Sequence, residues 1–183
     1  MSIFEQNPAI KSALESIDDE SYEPPVVTLW TAILSTIFPT SEGFLVEPHN
    51  VLGHGSGDTV ERSPDVVVVR TEYGPGLQKR PRRDILFVEC KRPLDDRPSR
   101  WVFHEQQLKD QASRNRNPSG DDDIFTAEAI GWKVKFFRWH GSREEHEPLY
   151  PDSEIREPLN LKNSYQGRLA ERFLTWMKLS AIE

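Results

Sequence analysis

Two apolar runs constrain this chain more than anything else in it: "PDVVVV" at residues 64–69 and "ILFVECK" at residues 85–91. Continuous β-branched and aromatic runs of this length read as strands buried on both faces, in the middle of a sheet. Each run nevertheless carries charge: Asp65 at the mouth of the first, Glu89 and Lys91 at the end of the second. An isolated buried carboxylate costs several kcal/mol or more, so the fold has to bring compensating groups together. Side chains alternate along a strand, which turns Glu89 and Lys91 to one face and Cys90 to the other. If the two runs pair as an antiparallel hairpin, the early residue Asp65 lies opposite the late residues Glu89 to Lys91, and the three heads converge.

The rest of the chain supplies layers around those strands. Pro8 opens a short helix with Ile10, Leu14 and Ile17 on one face. Pro24 and Pro25 start a core helix, Val26 to Phe38, in which Val27, Trp30, Ile33, Leu34 and Ile37 keep the 3.6-residue period until Pro39. "GFLVEPHNVL" reads as a first strand. The glycine-rich turn from Gly53 to Asp58 contains His54 and Ser56 without a nucleophile-elbow pattern, and reads as a loop. After the second apolar run comes the helix "RWVFHEQQLKDQASRN", with Ser99 as N-cap and Trp101, Leu108 and Ala112 inward; His104, Gln107 and Gln111 form the neighbouring stripe. "IFTAEAIG" and "WKVKFFRWH" give two more strands about Gly131. A proline-rich acidic connection over 141–160 leads to a last helix with Leu169, Phe173 and Trp176 inward. There is no internal repeat or low-complexity tract. The expectation is one α/β domain over residues 1–183: a mixed sheet of about five strands flanked by helices, with a core over about 24–140 and a C-terminal helix over about 164–182.

Charge is distributed unevenly. The net charge is −7, which argues against a nucleic-acid partner on average, yet 13 basic and 8 acidic residues lie between Arg62 and Arg116 against 10 and 22 elsewhere. The basic surplus therefore surrounds the two charged strands. Arg92, Arg97 and Arg100 flank the site and are placed to hold phosphates; Lys79, Arg80, Arg82 and Arg83 crowd the hairpin tip, where a duplex backbone could be gripped. The competing reading for each is a solvated surface charge.

Two close carboxylates repel unless a cation neutralises them. Lys91 could do so alone as a structural ion pair, or a hard divalent cation could do it, since Mg²⁺ takes one or two protein carboxylates and completes its shell with waters and phosphate oxygens. The backbone carbonyl of Cys90 is available as a further oxygen ligand, and Lys91 would then work beside the metal on water and phosphate.

With Pro64-Asp65, then 23 residues, then Glu89-Cys90-Lys91 on consecutive buried strands, the chain resembles the PD-(D/E)xK nucleases, which have the restriction-endonuclease-like fold. The resemblance is closest to fungal stand-alone members, whose later strands are matched by Ala129-Ile130-Gly131 and by Val134-Lys135-Phe136-Phe137. It covers roughly residues 24–140. It implies a restriction-endonuclease-like α/β sandwich, metal ligation by Asp65 and Glu89, a catalytic role for Lys91, a supporting catalytic role for Gln107, Mg²⁺ or Mn²⁺ as cofactor, and nucleic acid, DNA above all, as substrate. Many members add an acid from the first core helix. Val26 to Phe38 contains none, and the nearest acids are Glu23 just ahead of it and Glu15, so Glu23 is taken as the further ligand.

A second function class stays open: a catalytically inactive module that keeps the nuclease fold to bind protein or nucleic acid as an effector or regulatory factor. A phosphate-binding NTPase has little support, because no G-x-x-x-x-G-K-[ST] occurs, and is set aside. Lone Cys90 forbids an internal disulfide and a cysteine zinc cage. With no signal-peptide pattern and no apolar run near 18 residues, the expectation is an intracellular protein, in cytoplasm or nucleus, neither secreted nor membrane-spanning. Whether two chains combine as a homodimer to cut two strands is left open.

Overall fold

The structure, a computed structural model, describes residues 2–49, 64–71, 82–114, 123–150 and 154–182. Its elements in chain order are α1 (Ile3–Gln6), α2 (Pro8–Glu15), α3 (Glu23–Ile37), β1 (Phe44–Pro48), β2 (Val66–Arg70), β3 (Arg83–Lys91), α4 (Pro98–Arg114), β4 (Ile124–Ile130), β5 (Lys133–His140), β6 (Glu145–Leu149), β7 (Leu159–Asn160) and α5 (Ser164–Ser180). The fold is α/β, a mixed sheet flanked by helices. The sheet has seven strands, in the order β1-β2-β3-β4-β5-β6 with β7 also paired to β5. The expectation of about five was too low, because β6 and β7 lie in the stretch read as an irregular connection.

Strands β2 and β3 pair antiparallel, with Val66 opposite Val88, so the expected hairpin forms and Asp65 arrives beside the end of β3. Strands β3 and β4 are parallel, joined through α4, with Glu89 opposite Glu128 and Lys91 opposite Ile130. The other pairs are antiparallel. Alternation then divides the side chains between two layers. Val66, Val68, Leu86, Val88 and Cys90 face a large core shared with α3 and α5. Val67, Val69 and Phe87 face a smaller core with Leu108 and Ala112 of α4.

Helix boundaries matter for the site. Helix α3 begins at Glu23, not Val26, so an acid does stand in the first turn of the core helix. Helix α4 begins at Pro98, which places Ser99 inside the helix and not at its cap. In α5, Leu169, Ala170, Leu174 and Met177 are buried, Phe173 is partly covered, and Trp176 is 41% exposed. Trp176 was expected inward; it lies on the edge of the stripe and stacks on Phe173 at 5.1 Å between ring centroids.

One turn fixes the end of β3. Gly131, between β4 and β5, donates its N–H to the carbonyl of Lys91 at 2.9 Å. It does so at φ +58, where a side chain is strained, and a Cβ there would stand 2.9 Å from Cγ of Pro93. Backbone strain and the closed approach to Pro93 act together. Gly131→Ala is expected to destabilise the protein by about 2 kcal/mol, read as a lower urea midpoint at unchanged slope; an unchanged midpoint would show that this turn does not anchor β3.

Candidate active site

The end of β3 gathers its charges around one atom. Lys91 Nζ lies 2.7 Å from Glu89 Oε1, 3.6 Å from Asp65 Oδ2 and 3.5 Å from Glu23 Oε2. It also donates to the carbonyl of Cys90 at 2.9 Å. Each group has a structural reason for being there. Asp65 precedes the first paired residue of β2 and is anchored by the Cys90 N–H, which donates to Oδ2 at 2.6 Å. Glu89 and Lys91 share a face of β3 by alternation, and Glu23 enters from the first turn of α3. The Glu89 carboxylate accepts a second bond, 3.2 Å, from Nε2 of Gln111 on α4.

Positive charge is outnumbered in this cluster. Burial, then the adjacent Glu89 charge, pushes the Asp65 carboxyl up to about 7, although Lys91 and the Cys90 N–H pull the other way. Burial by itself would lower the Lys91 ammonium, but Glu89 and Asp65 outweigh it and hold it above its ordinary value. Burial likewise pushes the Cys90 thiol up, which leaves its sulfur inert and its carbonyl as the group that matters here.

The donors are all oxygens, the chemistry that suits Mg²⁺ or Mn²⁺. Among the described residues no group of three or more His, Cys, Asp or Glu side chains is already arranged to hold a metal ion. The ammonium of Lys91 takes the middle of the ring instead. It sits on a flexible four-carbon stem, and the carboxylates around it are the donor type that Mg²⁺ takes one or two of from protein.

Other expected residues divide into those near the site and those far from it. Gln107 hydrogen-bonds His104, Oε1 to Nδ1 at 3.0 Å; the glutamine that touches Glu89 is Gln111, one helical turn later. Arg92 and Arg100 both reach Asp95, at 3.4 and 3.8 Å. Arg97 is exposed and has no ion-pair partner among the described residues. Arg82 is paired with Glu47 at 2.8 Å and Asp84 at 3.2 Å. Arg83 opens β3 at the end remote from Lys91, about 27 Å away at the strand rise of ~3.4 Å per residue. Neither Arg82 nor Arg83 belongs to the pocket. Lys79 and Arg80, like His54 and Ser56, lie outside the described residues.

Glu128 was not anticipated as part of this region. It is 0% exposed, flanked by Glu89 on β3 and Lys135 on β5, and among the described residues neither carboxyl oxygen has a hydrogen-bond partner. Its signal in the sequence is a single acid in the otherwise apolar run "IFTAEAI", every residue of which is buried. Burial raises its carboxyl to about 9, against the opposing pull of Lys135. No family model matches the chain, and no curated protein or solved structure matches it either.

The Glu128 carboxyl gives a pH signature. Its ordinary value is 4.5 and its folded value about 9, so the folded chain keeps a proton that the unfolded chain releases. The stability this confers is complete below pH ~4.5 and disappears as pH rises through ~9. Glu128→Gln should match the parent near pH 5 and exceed it increasingly toward pH 9, by several kcal/mol at most, in urea unfolding at three pH values. A gap independent of pH would contradict the burial of an ionisable group at this position.

Proposed function

We propose that this chain is a metal-dependent phosphodiesterase of the restriction-endonuclease-like type, hydrolysing nucleic acid, with DNA as the first substrate to test. The observation that carries the reading is the charge imbalance at the end of β3: three carboxylates, from Asp65, Glu89 and Glu23, face the one ammonium of Lys91. Such a cluster favours additional positive charge, and its oxygen donors suit a hard divalent ion. Asp65, Glu89 and the Cys90 carbonyl would hold Mg²⁺ or Mn²⁺, with Glu23 at the rim. A cation held there supplies Lewis-acid polarisation of phosphate oxygens and a water acidic enough to attack near neutral pH.

The chain's own groups do the rest. Gln111 fixes the rotamer of Glu89 through its hydrogen bond. Gly131 and Pro93 hold the strand end, and with it the stem of Lys91. Released from the carboxylates, the Lys91 ammonium is within reach of an attacking water or of negative charge growing on the phosphate. Arg97, with no partner of its own among the described residues, can meet a flanking phosphate.

A second reading has an observation of its own. The 2.7 Å Lys91–Glu89 pair, supplemented by the Cys90 carbonyl at 2.9 Å, is also what a satisfied structural ion pair looks like. That favours a non-catalytic module that binds protein or nucleic acid through the same fold.

Cleavage separates the two. Purified protein with Mg²⁺ or Mn²⁺ should nick plasmid or shorten oligonucleotides, EDTA should stop it, and Lys91→Ala should lower the rate by ~10²–10⁴-fold with its circular dichroism retained. Undiminished cleavage by Lys91→Ala, once contaminating nuclease is excluded, would remove the mechanism; no cleavage by the parent protein would favour the module.

A further inference from the structure

Side-chain exposure around the cluster falls in one direction: 40% for Glu23, 15% for Lys91, 7% for Asp65 and 6% for Glu89. Glu23 is therefore the member of the cluster that meets solvent most. The residue immediately before Glu23 is Tyr22, which is 75% exposed. Its backbone is extended and forms the N-cap of α3, yet its side chain makes no capping hydrogen bond. Among the described residues its ring meets no other ring and its hydroxyl no partner. A large flat side chain thus stands in water one residue before Glu23, carried on the start of a fifteen-residue helix whose inner face is buried.

Among the described residues, Arg97 is the flanking arginine without an ion-pair partner. Arg92 and Arg100 are both drawn to Asp95, and Arg82 and Arg83 lie at the far end of β3. Among the described residues a nucleic acid held at Lys91 therefore finds few uncommitted cations, and contacts other than those to phosphate would add to its affinity. We infer that Tyr22 is a stacking platform for an unpaired nucleobase next to the phosphate at Lys91, so that the preferred substrate is single-stranded or frayed nucleic acid; for the phosphate itself this rests on the phosphodiesterase reading. Every base offers a π-face to an aromatic ring, which makes such binding tolerant of sequence. In an intact duplex the same base is already paired and stacked between its neighbours, and reaching the ring requires extruding it.

Binding and cleavage are read separately. Anisotropy of a labelled single-stranded oligonucleotide, and of the blunt duplex of the same sequence, is measured with the whole protein and Ca²⁺ in place of Mg²⁺. The parent should prefer the single strand. Tyr22→Ala should weaken single-strand binding by roughly 5- to 150-fold, leave duplex binding nearly unchanged, and melt as the parent does; Tyr22→Phe should bind as the parent. Single-strand binding by Tyr22→Ala equal to the parent's, an equal loss on both substrates, or no binding by the parent would overturn the inference. Cleavage that depends on Lys91 but is indifferent to Tyr22 would sink the platform alone. The expected binding pattern without hydrolysis would sink the phosphodiesterase reading and leave the platform standing.

Discussion

One ammonium group facing three carboxylates is the interaction on which the rest of this structure turns. Burying Glu89 and Asp65 at the end of a central strand is tolerable because Lys91 and Gln111 partner both Glu89 oxygens and the Cys90 N–H partners an Asp65 oxygen. Charge is not answered to the same degree: burial first, and then the neighbouring Glu89 charge, raises the Asp65 carboxyl. Removing one partner from such a cluster leaves uncompensated buried charge and costs far more than the cluster contributes in net stability. Retaining it in a core that could be apolar argues for a use beyond folding.

The fold delivers these groups through ordinary strand geometry. Antiparallel β2 brings Asp65 to the far end of β3, the α4 crossover returns a parallel β4, and α3 lays its first turn against the exit of β3. Gly131 ties β4 to Lys91 through a single backbone bond. The arrangement also places Glu128 beside Glu89, one strand over on the same face. A second buried carboxyl at that point extends the polar stripe from the pocket into the α4 layer, where Lys135 borders it. The stripe is thus continuous across three strands, while the residues behind it on the opposite face, Val88, Cys90, Ala127, Ala129, Val134 and Phe136, are apolar.

Much of this was legible in the sequence because period-two alternation is unambiguous in a buried strand. The pairing of the two runs, the convergence of Asp65, Glu89 and Lys91, and the inward set Trp101, Leu108 and Ala112 all follow from it and from the helical period. What was missed has identifiable causes. Glu23 was read as outside its helix because the residue before a proline is biased against helical backbone, whereas here Pro24 and Pro25 occupy the first turn. Strand β6, "EHEPL", sits at the sheet edge, contains Pro148 and has no buried residue, so it lacks the alternation that marks a strand. Gln107 and Gln111 share one helical stripe, and only the crossing of α4 over β3 decides which turn meets Glu89. Glu128 carries no motif; its importance comes from its neighbours on two other strands, which a linear reading does not show.

The central claim is that the ring around Lys91 is short of positive charge and accepts a divalent cation. Titration calorimetry with Mn²⁺ tests this without requiring a substrate. The account predicts saturable binding to the intact protein that is lost in Asp65→Ala, with the variant still folded. Heats indistinguishable from dilution, or binding that persists unchanged in Asp65→Ala, would contradict it and leave a structural ion pair in place of a metal site.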